Sequence, residues 1–341
     1  MNIGVVGATG LVGEKVIRLL EERKFPVTKL TPFSSEKSAG SKIKFCADEI
    51  AVEIIKENSF KNLDICFFAV DDALAKEWIP IAKKHCIVID KSSAYRLDKE
   101  VPLIVPEVNA EKISKHQNLI ANPNCTTIPL VMVLSPLQKT FGIKRVIITS
   151  FQSVSGAGKD AVNEFIYETE LLAFGAEIKK EPDSVFSSAI AGNIIPQIGS
   201  FDKSGFTAEE KKVIEETRKI LELPDLPISA TCVRVPVKIC HSLSVDVELE
   251  KQPDIDKIIK TLKTMPNIKV YPDNKYPMPV DCENKDEVFV GRIRRDWAFE
   301  NGVAMWIVTD NLRKGAATNA VQIAEKIIEL QLNKNSMLSS Y

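Results

Sequence analysis

Three glycines spaced by two residues, Gly7, Gly10 and Gly13, follow the apolar run Ile3-Gly4-Val5-Val6 and open an amphipathic stretch that continues to about Glu22. A strand, a glycine turn and a helix in that order start a doubly wound parallel sheet, where glycines let the backbone approach a pyrophosphate seated on the helix N-terminus. The spacing alone is weak, but its place between a strand and a helix is the context such a site requires. The alternation goes on: strands are predicted over 27–33, 63–70 and 87–90, a helix over 72–84, and a loop over 91–96. That order predicts a parallel sheet whose ligands gather at the carboxyl ends of its strands.

A chain of 341 residues exceeds one typical domain, and the pattern changes in its second half. Long β-branched or apolar runs over 143–152, 230–237, 243–249, 288–297 and 303–309 have few helices between them, at 160–174 and 208–221. They predict an α+β second domain on a mixed or antiparallel sheet. Loops rich in Ser, Gly and Pro over 181–205 are expected on a surface or in a subunit contact. A closing helix is predicted over 316–330, then a polar, frayed end over 333–341.

Lys and Arg number 45 against 46 Asp and Glu, so no net field draws the chain to nucleic acid or an anionic membrane. The sequence opens on a strand, and no uncharged apolar run approaches the roughly twenty residues of a spanning helix. A soluble, cytoplasmic protein is expected. Seven scattered cysteines with no Cys-x-x-Cys pair argue against disulfide and zinc frameworks. Cys66 and Cys86 sit in apolar strand-like runs, which leaves Cys125 as the one cysteine expected at a turn.

Cys125 lies in Asn122-Pro123-Asn124-Cys125-Thr126-Thr127, between a short apolar piece and an apolar run, 128–137, long enough for a helix. The positive end of a helix dipole favours thiolate over thiol there, although a free cysteine is as often a small buried hydrophobe. Of three histidines, His85 and His116 fall in polar surroundings, and His241, between two predicted strands, is the candidate for proton exchange. Arg234 on the preceding strand offers a bidentate anion site, and Arg96 beyond a strand end offers another or is a surface arginine. After the second strand come Ser35, Glu36, Lys37 and Ser38. Lys37 with the two serines suits the 2'-phosphate of NADP, while Glu36 leaves open a carboxylate for a ribose hydroxyl. A thiol beside a nicotinamide can attack a carbonyl and reach a thioester by hydride transfer, and two anion clamps suit a substrate with two negative ends.

Together, Gly7 to Gly13, Asn122 to Thr127, Gln152-Ser153-Val154-Ser155-Gly156-Ala157-Gly158, and Arg234-Val235-Pro236 with His241-Ser242 resemble the aspartate-semialdehyde dehydrogenase family over nearly the whole chain. The resemblance implies an N-terminal Rossmann-type NADP-binding domain, residues 1–124 with a returning C-terminal helix in 313–341, and an α+β catalytic and dimerisation domain with a mixed sheet, 125–312. It implies reductive dephosphorylation of L-4-aspartyl phosphate to L-aspartate 4-semialdehyde with NADPH, feeding lysine, methionine and threonine biosynthesis, by a homodimer or tetramer. By position, Cys125 resembles the nucleophile, His241 the acid/base and Gln152 the residue orienting the acyl group. Arg234 matches the carboxylate-binding arginine and Arg96 the phosphate-binding one. Glu209 and Lys212 match a substrate- and phosphate-binding pair, which without the family is a solvated helix face. Asn124 counts with the substrate group. Thr9 to Val12, with Gly10 and Leu11 between them, and Lys37, Ser38, Ser155, Gly156 and Asn311 fall where the family contacts NADP. Lys37 stands where the family commonly has arginine, which keeps the charge and loses the fork. The nearest rival, N-acetyl-glutamyl-phosphate reductase, usually has Pro-Gly-Cys at the thiol, and Asn124 argues against it. A non-catalytic dinucleotide-binding relative is the alternative of another kind.

Overall fold

The computed structural model describes residues 1–338, with side chains through 332. It divides into two compact units, Met1–Asn124 with the chain from Ala316 onward, and Cys125–Gly315.

The first unit runs β1 (Asn2–Val6), α1 (Leu11–Glu22), β2 (Lys29–Ser34), β3 (Lys42–Phe45), β4 (Asp48–Ala51), β5 (Glu53–Ile54), β6 (Ile65–Phe68), α2 (Asp72–Ala82), β7 (Ile87–Asp90), α3 (Pro106–Asn109) and β8 (Leu119–Ala121). Six strands form a parallel sheet in the order β5-β2-β1-β6-β7-β8. Strand order reverses beside β1, so the loop leaving its carboxyl end faces the crevice where such sheets bind ligands. Continuous apolar runs such as Ile65-Cys66-Phe67-Phe68 are wholly buried, as strands covered on both faces require. α1 turns Val16, Ile17, Leu19 and Leu20 inward, and the closing helix, Thr318–Leu338, adds Ala320, Val321, Ile323, Ala324 and Ile327 to the same core. Arg23 fastens the two helices by donating from Nε and Nη2 to Glu325 Oε1 and Oε2, each at 2.8 Å.

Three differences from the sequence reading arise here. The second strand starts at Lys29 rather than 27, because Val27 donates back to the Phe25 carbonyl in a tight turn. The β3–β4 hairpin was not foreseen, and its tip holds Cys46 at φ 53, so Cys125 is not alone in a turn. Its Cys46-Ala47 tip lacks the Asn-Gly type signal that marks such hairpins. The closing helix continues to Leu338, past the expected end at 330 and through much of the segment expected to fray, while 339–341 lie outside the described residues.

The second unit runs α4 (Thr127–Phe141), β9 (Ile143–Gln152), α5 (Lys159–Ala173), α6 (Ala208–Leu221), β10 (Ile228–Arg234), β11 (His241–Leu249), α7 (Ile255–Lys263), β12 (Ile268–Val270), α8 (Pro279–Cys282), β13 (Val288–Asp296) and β14 (Gly302–Thr309). Its mixed sheet has the order β10-β9-β11-β14-β13-β12, antiparallel at the centre with a parallel pair at each end. α4 is apolar on nearly every side and buried from Thr127 to Leu137, which makes it a central helix rather than an amphipathic cover. It packs against α6 and α7. The other face of the sheet keeps Ile147, Phe151, Thr231, Asp246 and Trp306 exposed or half-buried, with the Phe151 and Trp306 rings 5.5 Å apart. β10 ends at Arg234, before Val235-Pro236, since proline cannot donate to a ladder. His241 is the first residue of β11, paired with Thr309, rather than part of the turn before it.

Among the described residues no helix is long and apolar enough to cross a membrane. Nor do any three or more His, Cys, Asp or Glu side chains there group to hold a metal ion.

Candidate active site

In the first unit the glycine loop fits a dinucleotide pyrophosphate by its geometry. Gly7 has φ +80, and a Cβ there would lie 2.4 Å from the Ala69 carbonyl oxygen; one on Gly13 would lie 2.1 Å from the Gly7 oxygen. Only hydrogen fits at either place, so loop and helix pack at backbone contact. Gly10 is the N-cap of α1, a twelve-residue helix whose first turn has no capping side chain. Thr9 Oγ1 is 2.8 Å from Ser34 Oγ, joining this loop to the end of β2. Leu11 and Val12 are half-buried in the first turn, and Ser35, Lys37 and Ser38 follow β2 in a short 3₁₀ turn with Lys37 exposed. Hydroxyls and an ammonium there form a polar rim suited to a nucleotide.

At the carboxyl end of β7 the loop is held by carboxylates. Ser92 donates from N and Oγ to Asp90, and Ser93 likewise to Asp72, at 2.5–2.8 Å. Arg96 is buried, 5% exposed, and gives Nη2 to the Lys91 carbonyl at 2.6 Å. Burial raises the Asp90 carboxyl above its ordinary range, against the serine hydrogen bonds and the Arg96 charge. The arginine is thus built into the strand end rather than lying on the surface. Asn319 donates to Asn122 Oδ1 at 2.8 Å and to the Ile104 carbonyl at 2.9 Å, fixing the turn that carries the buried Asn124.

The second unit gathers the remaining candidates. Cys125 is partly exposed, directly before Thr126, the N-cap of α4. Thr126 does not cap that helix with its side chain; its Oγ1 accepts from Gln152 Nε2 at 2.9 Å. Gln152 Nε2 also reaches Glu209 Oε1 at 3.2 Å, and Glu209 Oε2 is 3.6 Å from Lys212 Nζ. Glu209 is 7% exposed, so its helix face is interior and not solvated as the sequence suggested. Parallel pairing of β10 with β9 sets Arg234 opposite Gln152. Arg234 is 5% exposed and donates Nη1 to the Ser153 carbonyl at 2.7 Å. Burial lowers its pKa from the usual arginine value, and Glu209 opposes that shift. Beside Arg234 opens a cavity of about 300 Å³ lined in part by Phe186, Ser187, Gln197 and Ile198. A Cβ on Gly156 would lie 2.9 Å from Arg234 Nη1 and 3.3 Å from His241 Nε2, so this glycine keeps the ground between them clear.

His241 Nε2 lies 3.3 Å from Cys125 Sγ. The ring is fully buried, and burial, helped by the Arg234 charge, pushes its pKa down to about 3. It is therefore neutral at physiological pH. Burial pushes Cys232 and Cys282 up to about 12 and raises Cys66 and Cys240 as well, which keeps these four as inert thiols. Ser153, Thr126 and Gly315 were not singled out in the sequence. Gly315, whose Cβ would sit 3.2 Å from that of Cys125, belongs to a π-turn, Arg313–Ala317, that periodicity does not reveal.

A pH effect on stability follows from the depressed pKa of the ring. As pH falls below about 6.5 the unfolded chain protonates His241 and the folded chain does not, so stability is lost on acidification until pH nears 3. By pH 5 this ring alone costs about 2 kcal/mol. Urea denaturation of the parent and His241→Gln at pH 7 and 5 checks it: the variant is expected to lose about 2 kcal/mol less over that interval.

A parallel nucleotide-type domain followed by a mixed-sheet domain, with a thiol and an imidazole in contact in the second, is the arrangement of dehydrogenases that act on an aldehyde group. Comparison with known proteins is specific. Residues 2–116 match the semialdehyde dehydrogenase NAD binding domain and 134–314 the semialdehyde dehydrogenase dimerisation domain. Aspartate-semialdehyde dehydrogenase of Aquifex aeolicus is 46% identical over 96% of this chain and 98% of its own. The crystal structure of Vibrio cholerae aspartate semialdehyde dehydrogenase II complexed with ASA superposes with TM-score 0.93 at 40% identity, covering 96% of this chain and 98% of that one. That of the Candida albicans enzyme with NADP gives TM-score 0.72 at 26% identity over 96% and 98%. The chain belongs to the aspartate-semialdehyde dehydrogenase family, oxidoreductases acting on an aldehyde group, and its first unit is an NAD(P)-binding domain.

Proposed function

We propose that this chain interconverts L-4-aspartyl phosphate with L-aspartate 4-semialdehyde and phosphate, using NADP, with Cys125 carrying the acyl group. The 3.3 Å approach of Cys125 Sγ to His241 Nε2 beside the buried Arg234 is the observation that carries this reading. The Cys125 thiolate attacks the acyl carbon, the tetrahedral oxyanion collapses, the C–O bond to phosphate breaks and a thioester remains. Reduced nicotinamide, when bound, supplies the hydride that takes this thioester to the aldehyde level. Collapse of the resulting adduct expels the sulfur as thiolate and frees the aldehyde. His241 serves as the acid/base group beside sulfur and adduct oxygen. Arg234, desolvated yet charged, takes the substrate carboxylate with its planar fork. Gln152, held by Thr126 and Glu209, orients the acyl oxygen, and Arg96 and Lys212 serve the phosphate. Backbone amides at the start of α4, where no side chain caps the helix, serve the oxyanion.

The first unit takes the cofactor; the second provides catalysis and the contact of a homodimer, and sedimentation equilibrium distinguishes that dimer from a tetramer. Support for the dimer comes from the uncovered sheet face and from exposed apolar residues such as Phe174 and Phe201, 88% and 57% exposed. A charge-balanced chain with no membrane-crossing helix among the described residues supports a cytoplasmic setting. The assay is the initial rate of NADPH formation from aspartate semialdehyde, with and without phosphate. A phosphate-dependent rate is expected, and NADP binding with no such rate would sink the reading.

Lys37 is the residue by which NADP would be told from NAD, since it follows β2 on an exposed turn with Ser35 and Ser38. Lys37→Ala is expected to raise KM for NADP about tenfold and leave that for NAD within about twofold. Equal effects on both cofactors would remove Lys37 from the 2'-phosphate site.

A further inference from the structure

The reaction leaves unused a group of charged side chains between α5 and the loops over 181–205. Glu164 and Glu168 are four residues apart on α5 and so share a helix face, where two carboxylates repel. Between them they accept four main-chain N–H groups: Glu164 from Val185 at 2.6 Å and Phe186 at 3.3 Å, Glu168 from Ile190 at 2.6 Å and Ala191 at 3.0 Å. Lys180 donates Nζ to both carboxylates, reaching Glu168 at 2.8 Å. Glu168 is 2% exposed. Burial works against each charge, yet these bonds bring Glu164 below its ordinary carboxylate range and lift Lys180 above its usual value.

The segment held in this way goes on to wall the cavity beside Arg234, to which it gives Val185, Phe186, Ser187, Ile195, Gln197 and Ile198. Ile195 exchanges both main-chain hydrogen bonds with Arg234, at 2.8 and 3.0 Å. Phe186 and Ile190 pack with Val154, two residues before Gly156, the glycine that faces Arg234 Nη1. Three residues beyond Ile195, the Ile198 carbonyl accepts from the Glu209 N–H at 3.3 Å. Glu164 and Glu168 therefore hold one end of the wall, while Arg234 and Glu209 hold the other.

We propose that Glu164, Glu168 and Lys180 form a clasp that sets this wall against Arg234, which makes them positioning residues for the carboxylate end of the substrate. Carboxylates suit the task because each takes several donors at once, whereas an amide in the same place would turn a donor of its own toward them. The lysine lets both stay ionised. Without it the pair would share a proton, and a protonated oxygen gives up an acceptor that the main-chain amides use. With the clasp closed, the wall is ordered when the chain folds and not when the substrate arrives, so the benefit falls on binding.

This rests on the reading of Arg234 as the clamp for the substrate carboxylate, but half of its test needs no turnover. In Lys180→Met, hydrogen–deuterium exchange over 185–191 should quicken about tenfold or more on the full chain. KM for aspartate semialdehyde should rise about tenfold, with kcat and the KM values for NADP and phosphate within about twofold of the parent. Lys180→Arg, which restores the charge, should recover both. In an Arg234→Lys background Lys180→Met should add under about twofold to KM, since the wall then has no fork to serve. Glu164→Gln should give the same exchange and the same split between KM and kcat, and it decides if Lys180→Met does not fold. Parental exchange in both variants would overturn the clasp. Faster exchange with parental KM, a loss in kcat as large as the rise in KM, or full additivity with Arg234→Lys would overturn its link to Arg234. A parent that does not turn over aspartate semialdehyde would instead count against the substrate assignment, and the exchange rates would still decide whether the clasp holds the wall.

Discussion

Cys125→Ser is expected to lower kcat by about 10⁴-fold or more while NADP binds within about twofold of the parent. The change is one atom, but a serine hydroxyl is far less acidic than a thiol, and burial of His241 opposes the imidazolium that would form if the ring took its proton. A thiol ionises far more readily, and Cys125 is partly exposed, whereas Cys66, Cys232, Cys240 and Cys282 are buried and burial raises their pKa values. Cys46→Ser, at the exposed hairpin tip, is the matched control and should keep parental kcat. Steady-state rates with saturating aspartate semialdehyde, phosphate and NADP measure both. Retention of a tenth of the parental rate by Cys125→Ser would exclude the covalent route.

Gly13→Ala should be the most damaging single methyl group in the first unit. Its Cβ would fall 2.1 Å from the Gly7 oxygen and 2.8 Å from the Gly7 carbonyl carbon, both backbone atoms that cannot rotate away. Helix α1 or the glycine loop must move, and the dinucleotide loses the amide groups that this close approach presents. A loss of about 3 kcal/mol in folding stability and at least about tenfold in NADP affinity is expected. Gly10→Ala supplies the contrast within the same motif: its Cβ would meet the Gly7 oxygen at 3.4 Å, ordinary contact, and it should cost under about 1 kcal/mol. Urea denaturation and NADP titration separate the two variants. Equal damage from both would show that glycine content, and not the close packing of Gly13 on Gly7, is what the loop needs.

The segments that were easiest to read are those whose pattern is local. The run over 143–152 and the helix over 208–221 have the bounds the sequence suggested, because a long β-branched stretch and a charged 3.6-residue period each favour one backbone state without outside help. Short elements were less visible. The β3–β4 hairpin and β12 carry little periodic signal and form because neighbouring elements receive them, whereas α7 shows a clear helical period through Ile255, Ile258, Ile259 and Leu262 and was passed over because it is only nine residues long.

The site divides in the same way. The sequence by itself determined the glycine loop, the thiol at the start of a helix and the identity of the one histidine in apolar surroundings, since each is a matter of residue type and near neighbours. Tertiary structure decided the burial of Glu209, the pairing of Arg234 with Gln152, and the approach of His241 to a sulfur 116 residues earlier in the chain. It also brought Asn311, Ser155 and Ser153 into one buried hydrogen-bonded group beside His241, although they lie up to 158 residues apart in the chain. Those features depend on strand register and on backbone amides brought together by the mixed sheet. No local pattern encodes them, because the donors and acceptors concerned exist as partners only after the sheet has closed.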